Sequence, residues 1–298
     1  MPRHERILVI GATGTQGGAV TERLLKQGQR VRALTREPQS LQIQAMRWCN
    51  LEVAVGDLDT PETIRRAMDG VTGVFSMQSP GPDEVVHSRI VVEAAGSAGV
   101  RQLVHSSVSG TGFHKTMPGW AEGRWNHAYW DGKWEAEQAA MDSGLPWITV
   151  LKPAFMMENF ALPKATTMFP DLAEGQILTA VTPQTRIPMI AAADIGAFAA
   201  HAFADPERYS GKSIDLAGDC PTLPEVAEIL SKVTGNVVTA RTLTRDQLIA
   251  RGQFGGWVDM QIWFNEIGYP ASPKTSGEYG VPLTDFSAWA YSNKEIIN

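Results

Sequence analysis

Cysteine is scarce in this chain of 298 residues: only Cys49 and Cys220 are present, far apart and with no C-x-x-C pair. That spacing fits free thiols in a reducing compartment better than a disulfide framework, so a cytoplasmic location is expected. The six histidines are scattered, without H-x-x-x-H or a His/Cys/carboxylate grouping, and no metal site is expected. No lysine or arginine run exceeds two residues and the net charge is -6, which argues against a groove for direct nucleic-acid binding. No stretch reaches the roughly 18 apolar residues of a membrane span, and MPRHERILVIGATG lacks a long apolar core followed by a cleavage site, so neither membrane insertion nor secretion is expected. HSSVSGTG does not supply the G-x-S-x-G elbow of a serine hydrolase.

At 43% hydrophobic the chain can bury a sizeable core, and its apolar runs are ordered. RILVI (6–10) reads as a buried strand, GATGTQGG (11–18) as a glycine-rich turn and AVTERLLKQG as a helix. Strands at VRALTR (31–36), LEVAVGD (51–57), VTGVFSM, VRQLVHSS and PWITVLKP then alternate with helices at TPETIRRAMDG, EVVHSRIVVEAAGSAG and about 126–143. A polar stretch between the second and third strands also reads as helical. This alternation predicts an α/β fold with a doubly wound parallel sheet, covered on both faces. The loop SGTGFHKTMPGWAEGRW is too long and too rich in glycine and proline for a simple connection, and reads as a mobile or site-lining segment. Alternation weakens from Ala154 onward, so the expected division is a dinucleotide-binding domain over 1–153 and a mainly substrate-binding domain over 154–298, interleaved with late sheet elements. Asp194, ahead of an apolar helix, reads as its N-cap.

Gly11, Gly14 and Gly17 form G-x-x-G-x-x-G between a strand and a helix, where backbone can approach a pyrophosphate at a helix N-terminus. The second strand ends in Thr35-Arg36 rather than in a carboxylate. A guanidinium there can pair with a 2′-phosphate, which favours NADP(H), with NAD(H) and a solvated surface arginine beside Glu37 as the alternatives. Asp57 is either an adenine-side acceptor or a turn former.

Tyr129 and Lys133 stand at i and i+4, so their side chains share one helix face. With five tyrosines in the chain the spacing alone is a weak signal. A lysine beside a nicotinamide ribose would hold two hydroxyls and lower the pKa of the phenol, making Tyr129 a usable proton donor. Ser107 at the end of VRQLVHSS would orient a carbonyl, and Gly132, costly inside a helix, would mark a close approach by a ligand or neighbour. Trp120, Trp125, Trp130 and Trp134 crowd this region and could stack on a flat quinone or aromatic substrate, or simply fill a core, and the same packing reading is open for Tyr129.

With Gly11–Gly18, Arg36, Asp57-Leu58, Lys133 and KPAFMMEN in view, the sequence resembles the NmrA-like family of atypical short-chain dehydrogenase/reductases. The resemblance extends over nearly the whole chain. It is closest in character to the branch of NADPH-sensing proteins, through residues 131–160 and 205–218. It implies a Rossmann domain with a smaller C-terminal substrate domain. It implies NADP(H) contacts from Gly11, Ala12, Thr13, Gly14, Thr15 and Gln16, with Arg36, Asp57, Leu58, Lys133, Phe155, Glu158 and Asn159; Gly17 and Gln78 join them as candidates. The family mixes reductases with regulators that signal through protein contacts, so a regulatory protein partner is the alternative to a small-molecule substrate. In the sensor branch the position of Tyr129 is commonly histidine and that of Ser107 commonly glycine, whereas here both hydroxyls are present. The expectation is therefore hydride transfer to a small carbonyl, quinone or related unsaturated compound, with Tyr129, Lys133 and Ser107 as the catalytic set.

Overall fold

The computed structural model describes residues 6–39 and 49–297. The helix expected between the second and third strands lies largely outside the described residues. The chain divides into two compact units. One holds the chain up to Thr111 together with His127–Lys152 and Ala192–Ile214; the other holds Gly112–Asn126, Pro153–Ala191 and the chain from Asp215. The boundary expected after residue 153 is thus crossed by two segments. The 112–126 loop joins the second unit because its side chains are tied there: Trp263 Nε1 donates to Met117 Sδ at 3.4 Å, and Arg124 pairs with Glu266. Residues 192–204 return to the first unit as a helix that packs on the helix after the glycine turn.

The first unit is built on a seven-stranded sheet. Its strands are β1 (Arg6–Val9), β2 (Arg30–Thr35), β3 (Leu51–Val55), β4 (Gly73–Ser76), β5 (Gln102–Ser106), β6 (Trp147–Pro153) and, later in the chain, Lys212–Leu216. The order from the late strand inward is β6, β5, β4, β1, β2, β3, and the neighbouring pairs from β6 to β3 are all parallel. β4 and β5 are buried along their full length, as strands covered on both faces must be. β3 forms the opposite edge. There Glu52 takes Arg32 at 2.9 Å and Arg6 at 3.2 Å, and a charged edge discourages pairing with another chain.

One face of the sheet is closed by helices α1 (Thr15–Lys26) and Ala192–Ala204. Among the residues packed on the other face, Leu8, Val74 and Leu103 meet Ile64, Met68 and Val91 in a continuous core. Those last residues belong to α2 (Pro61–Ala67), its C-cap and α3 (Glu84–Ser97). α4 (His127–Met141) packs on α3, and Ser88 Oγ donates to the Ala136 carbonyl at 3.0 Å, a buried link that fixes one helix against the other. Asp194 is not the N-cap of its helix. The helix starts at Ala192 because Ala192 and Ala193, both strong helix formers, extend it backward, leaving Asp194 buried in the first turn, where the helix dipole favours a carboxylate.

The second unit holds two short parallel pairs, Phe155–Met156 with Met189–Ile190 and Gln176–Thr179 with Thr239–Thr242. Its helix Leu223–Thr234 opens with a capping box from Thr222 and Glu225 and closes on left-handed Gly235. Aromatic rings fill its core: Phe155 stacks on Trp257 at 5.6 Å, and Phe160 on Phe169 at 4.5 Å.

Candidate active site

The glycine turn lies where β1 ends and α1 begins. Gly11 adopts φ 72°, a left-handed conformation suited to glycine, and the Gly14 N–H donates to the Gly11 carbonyl at 2.8 Å. Gly17 has a different reason to be glycine. A Cβ there would stand 2.2 Å from the Gly11 carbonyl oxygen, so α1 rests directly on the turn. Gly17→Ala is therefore expected to push the helix off the turn, lowering thermal stability and dinucleotide affinity together; a thermal melt and a binding titration unchanged from wild type would contradict this. Gly14 is the N-cap of α1 and contributes no side-chain cap, and no acidic residue lies in the first turn. Such an end is open to an anion.

A cleft of about 410 Å³ opens beside this turn. Gly11 and Thr13 line it with Arg36, Asp57, Leu58 and Gln78, and the far wall includes Glu84 and His87. Arg36 is exposed and has no ion-pair partner among the described residues, unlike Arg32, whose guanidinium is consumed by Glu52 and the carbonyls of Ala67 and Asp69. Asp57 acts as a turn former, accepting the Asp59 N–H at 3.1 Å, while also facing the cleft. Asp59 in turn pairs with His87 at 2.8 Å. Ala12 is buried, and Gln16 Oε1 accepts from Ser106 Oγ at 2.6 Å, tying α1 to the end of β5. Thr15 begins the helix.

Lys133 is buried on α4, and its Nζ lies 2.5 Å from Glu84 Oε1 and 3.2 Å from the Gln78 carbonyl. Glu84 opens α3 and is itself 3% exposed, so two charges are buried as a pair. Nothing in the sequence marks it, since a glutamate in a helix's first turn ordinarily faces water. The expected lowering of the Tyr129 phenol is reversed here. Burial, and secondly the Glu84 carboxylate, push the Tyr129 phenol up from its ordinary value rather than down. Tyr129 is half-buried, with its ring edge-on to Trp130 at 5.4 Å. Gly132 is not compelled by a close approach either, because a Cβ there would meet Glu84 Oε2 at 3.6 Å, an ordinary contact.

Three buried polar atoms at the carboxyl ends of β4 and β5 have no hydrogen-bond partner among the described residues: Gln78 Oε1, His105 Nδ1 and Ser107 Oγ. Each such atom costs roughly 1–3 kcal/mol unless a ligand completes it, and this sheet edge is where doubly wound folds bind dinucleotides. His105 was not singled out from the sequence. Burial, then the Lys133 charge, hold its imidazole down at about 3, so it is neutral in the working range and Nδ1 can accept a hydrogen bond.

In the second unit Phe155 is buried in the aromatic core, Glu158 Oε1 accepts from Trp289 Nε1 at 3.1 Å, and Asn159 follows in a short 3-10 turn. The four tryptophans divide between the two units. Trp130 is core, Trp134 lies 5.8 Å from Lys152 Nζ, and Trp120 and Trp125 belong to the second unit, where Trp125 donates to the Pro118 carbonyl at 2.6 Å. Among the described residues no group of metal-binding side chains occurs, and no helix is long and apolar enough to cross a membrane.

The sequence profile of the NmrA-like family matches residues 3–277. The chain belongs to the NmrA-like family. An NmrA-like oxidoreductase from Cladobotryum, FrzB, is 30% identical over 77% of this chain and 73% of its own. The NAD(P)H azoreductase of Xenophilus azovorans is 29% identical over 81% of this chain and 78% of its own. Among solved structures, the Escherichia coli NADPH-dependent quinone oxidoreductase QOR2, complexed with NADPH, superposes with a TM-score of 0.77 at 25% identity, covering 98% of this chain and 100% of that one. Nicotinamide dinucleotides are thus cofactors of this family.

Proposed function

We propose that this NmrA-like protein is a cytosolic NADP(H)-dependent reductase of a small carbonyl, quinone or related unsaturated compound. The observation that carries the reading is the buried, unpartnered Ser107 Oγ at a sheet edge whose glycine turn leaves a helix N-terminus uncapped. Relatives named as azo- and quinone reductases support it. The residues fit the cofactor: the turn from Gly11 to Gly17 for the pyrophosphate, Arg36 for a 2′-phosphate, and Lys133 and Gln78 on the ribose and nicotinamide side. When bound, the reduced nicotinamide supplies the hydride. Lys133 has three N–H groups and spends two on Glu84 and Gln78, so one remains for a ligand hydroxyl. Ser107 orients the substrate oxygen, and Tyr129 gives it a proton.

The test is NADPH oxidation over a panel of quinones, aldehydes, imines and enones. Turnover of at least one class supports the reductase. No turnover with NADPH binding intact would leave the regulatory alternative, in which a partner protein reads cofactor occupancy.

NADPH is expected to bind more tightly than NADH, and Arg36→Ala to narrow that ratio by roughly tenfold or more, since a charge-assisted hydrogen bond contributes about 1.5–3 kcal/mol. Equal affinities in the wild type, read by titration, would reject the role of Arg36.

A further inference from the structure

Two buried ion pairs hang from the same face of α4, one turn apart, and they differ in a telling way. Glu137 is closed: its two carboxylate oxygens take Thr111 Oγ1 at 2.6 Å, Lys152 at 2.7 Å and Ser213 Oγ at 3.4 Å. Each lysine spends two of its three N–H groups, Lys152 on Glu137 and the Thr111 carbonyl and Lys133 on Glu84 and the Gln78 carbonyl, so the difference lies in the carboxylates: Glu84 is open, taking Lys133 alone among the described residues and lining the cleft. Burying two charges is costly, and an apolar pair would join α3 to α4 at no greater cost. The open pair therefore calls for a reason beyond packing.

We infer that Glu84 is a positioning residue of this site: its carboxylate fixes the Lys133 ammonium and cancels its charge, so that Tyr129 works as a neutral phenol and only as a proton donor. The inference rests on the assignment of Tyr129 as that donor. Within the first unit, the charged and titratable groups around Tyr129 and Lys133 come from three elements. Glu84 stands at the start of α3; His105 comes from β5; on α4 itself, His127 and Asp131 flank Tyr129 two residues to either side. His105 is neutral in the working range, so it adds no charge of its own. An uncompensated lysine one turn from a phenol would draw it toward phenolate, which accepts protons. With Glu84 at 2.5 Å the lysine's field is largely spent, and burial then favours the uncharged phenol.

The protein without cofactor, labelled with 13Cζ-tyrosine, reports the phenol directly, and Tyr129→Phe assigns its signal. In the wild type the Tyr129 resonance is expected to keep its phenol position to about pH 11, while in Glu84→Gln it moves to the phenolate position at lower pH, by about 1–3 pH units. In parallel, the reduction rate of Glu84→Gln gains an alkaline fall that the wild type lacks. If Glu84→Gln does not fold, Glu84→Asp, which loosens the pair by one methylene and keeps the charge, should give a smaller shift of the same sign. Identical Tyr129 titrations in wild type and the folded variant would overturn the inference. A wild type that reduces nothing would sink the reductase reading instead, and the titration would still decide whether Glu84 holds the phenol neutral.

Discussion

Tyr129→Phe is expected to lower turnover by about 10²-fold while leaving cofactor affinity near that of the wild type, because the ring stays and one oxygen goes. General-acid catalysis typically contributes 10²–10⁴, and efficiency is greatest when the acid's pKa lies near the working pH. Burial and Glu84 hold the Tyr129 phenol above its ordinary value, which places the effect at the lower end. The sign of the pH dependence follows. The protonated phenol is the active form, so raising its pKa carries the plateau upward, and the wild-type rate should show no alkaline fall from this group through pH 10. Lys133→Ala should differ from Tyr129→Phe by damaging cofactor affinity as well, since its Nζ is anchored between Glu84 and Gln78 in the cleft wall. Full activity in Tyr129→Phe, on a substrate that the wild type reduces, would make the Tyr-x-x-x-Lys spacing a matter of helix packing.

The sheet was legible because its signal is local. Apolar runs such as ILV in β1 and VF in β4 are buried on both faces, and the glycine turn follows its strand closely, so period and punctuation suffice. The lysine at i+4 from Tyr129 was legible for the same reason. What decides the electrostatics of the pair was not. Glu84 lies 49 positions from Lys133 at the start of a helix whose local pattern gives no sign of its burial, which follows from the packing of α3 on α4. His105 looks like any polar residue in an apolar strand until the sheet closes around it. The membership of 112–126 was hidden likewise, since its ties to Trp263 and Glu266 reach about 140 residues along the chain. Asp194 shows the opposite failure, in which a good local cap signal is overridden by two alanines that carry the helix start back to Ala192.

Acid should unfold this protein through His105 before most of its carboxylates are protonated. The group has an ordinary value of 6.5 and is held at about 3 in the fold, by burial first and by Lys133 second. The unfolded chain therefore takes up a proton below about pH 6.5 that the native state refuses until about pH 3, so the stability associated with neutral His105 is present above that window and is lost as pH falls through it. At pH 4 the loss is on the order of 3 kcal/mol, a large share of the 5–15 kcal/mol that typically separates folded from unfolded states. Glu84 works in the opposite direction: its raised value means that the fold gains a proton more readily than the unfolded chain does, which offsets part of the loss near its own titration. Urea unfolding at pH 7 and pH 4 measures the difference, and His105→Gln, which cannot charge, should flatten it by most of that amount. An equally steep loss in His105→Gln would assign the acid sensitivity to other groups and return His105 to an ordinary polar neighbour of the site.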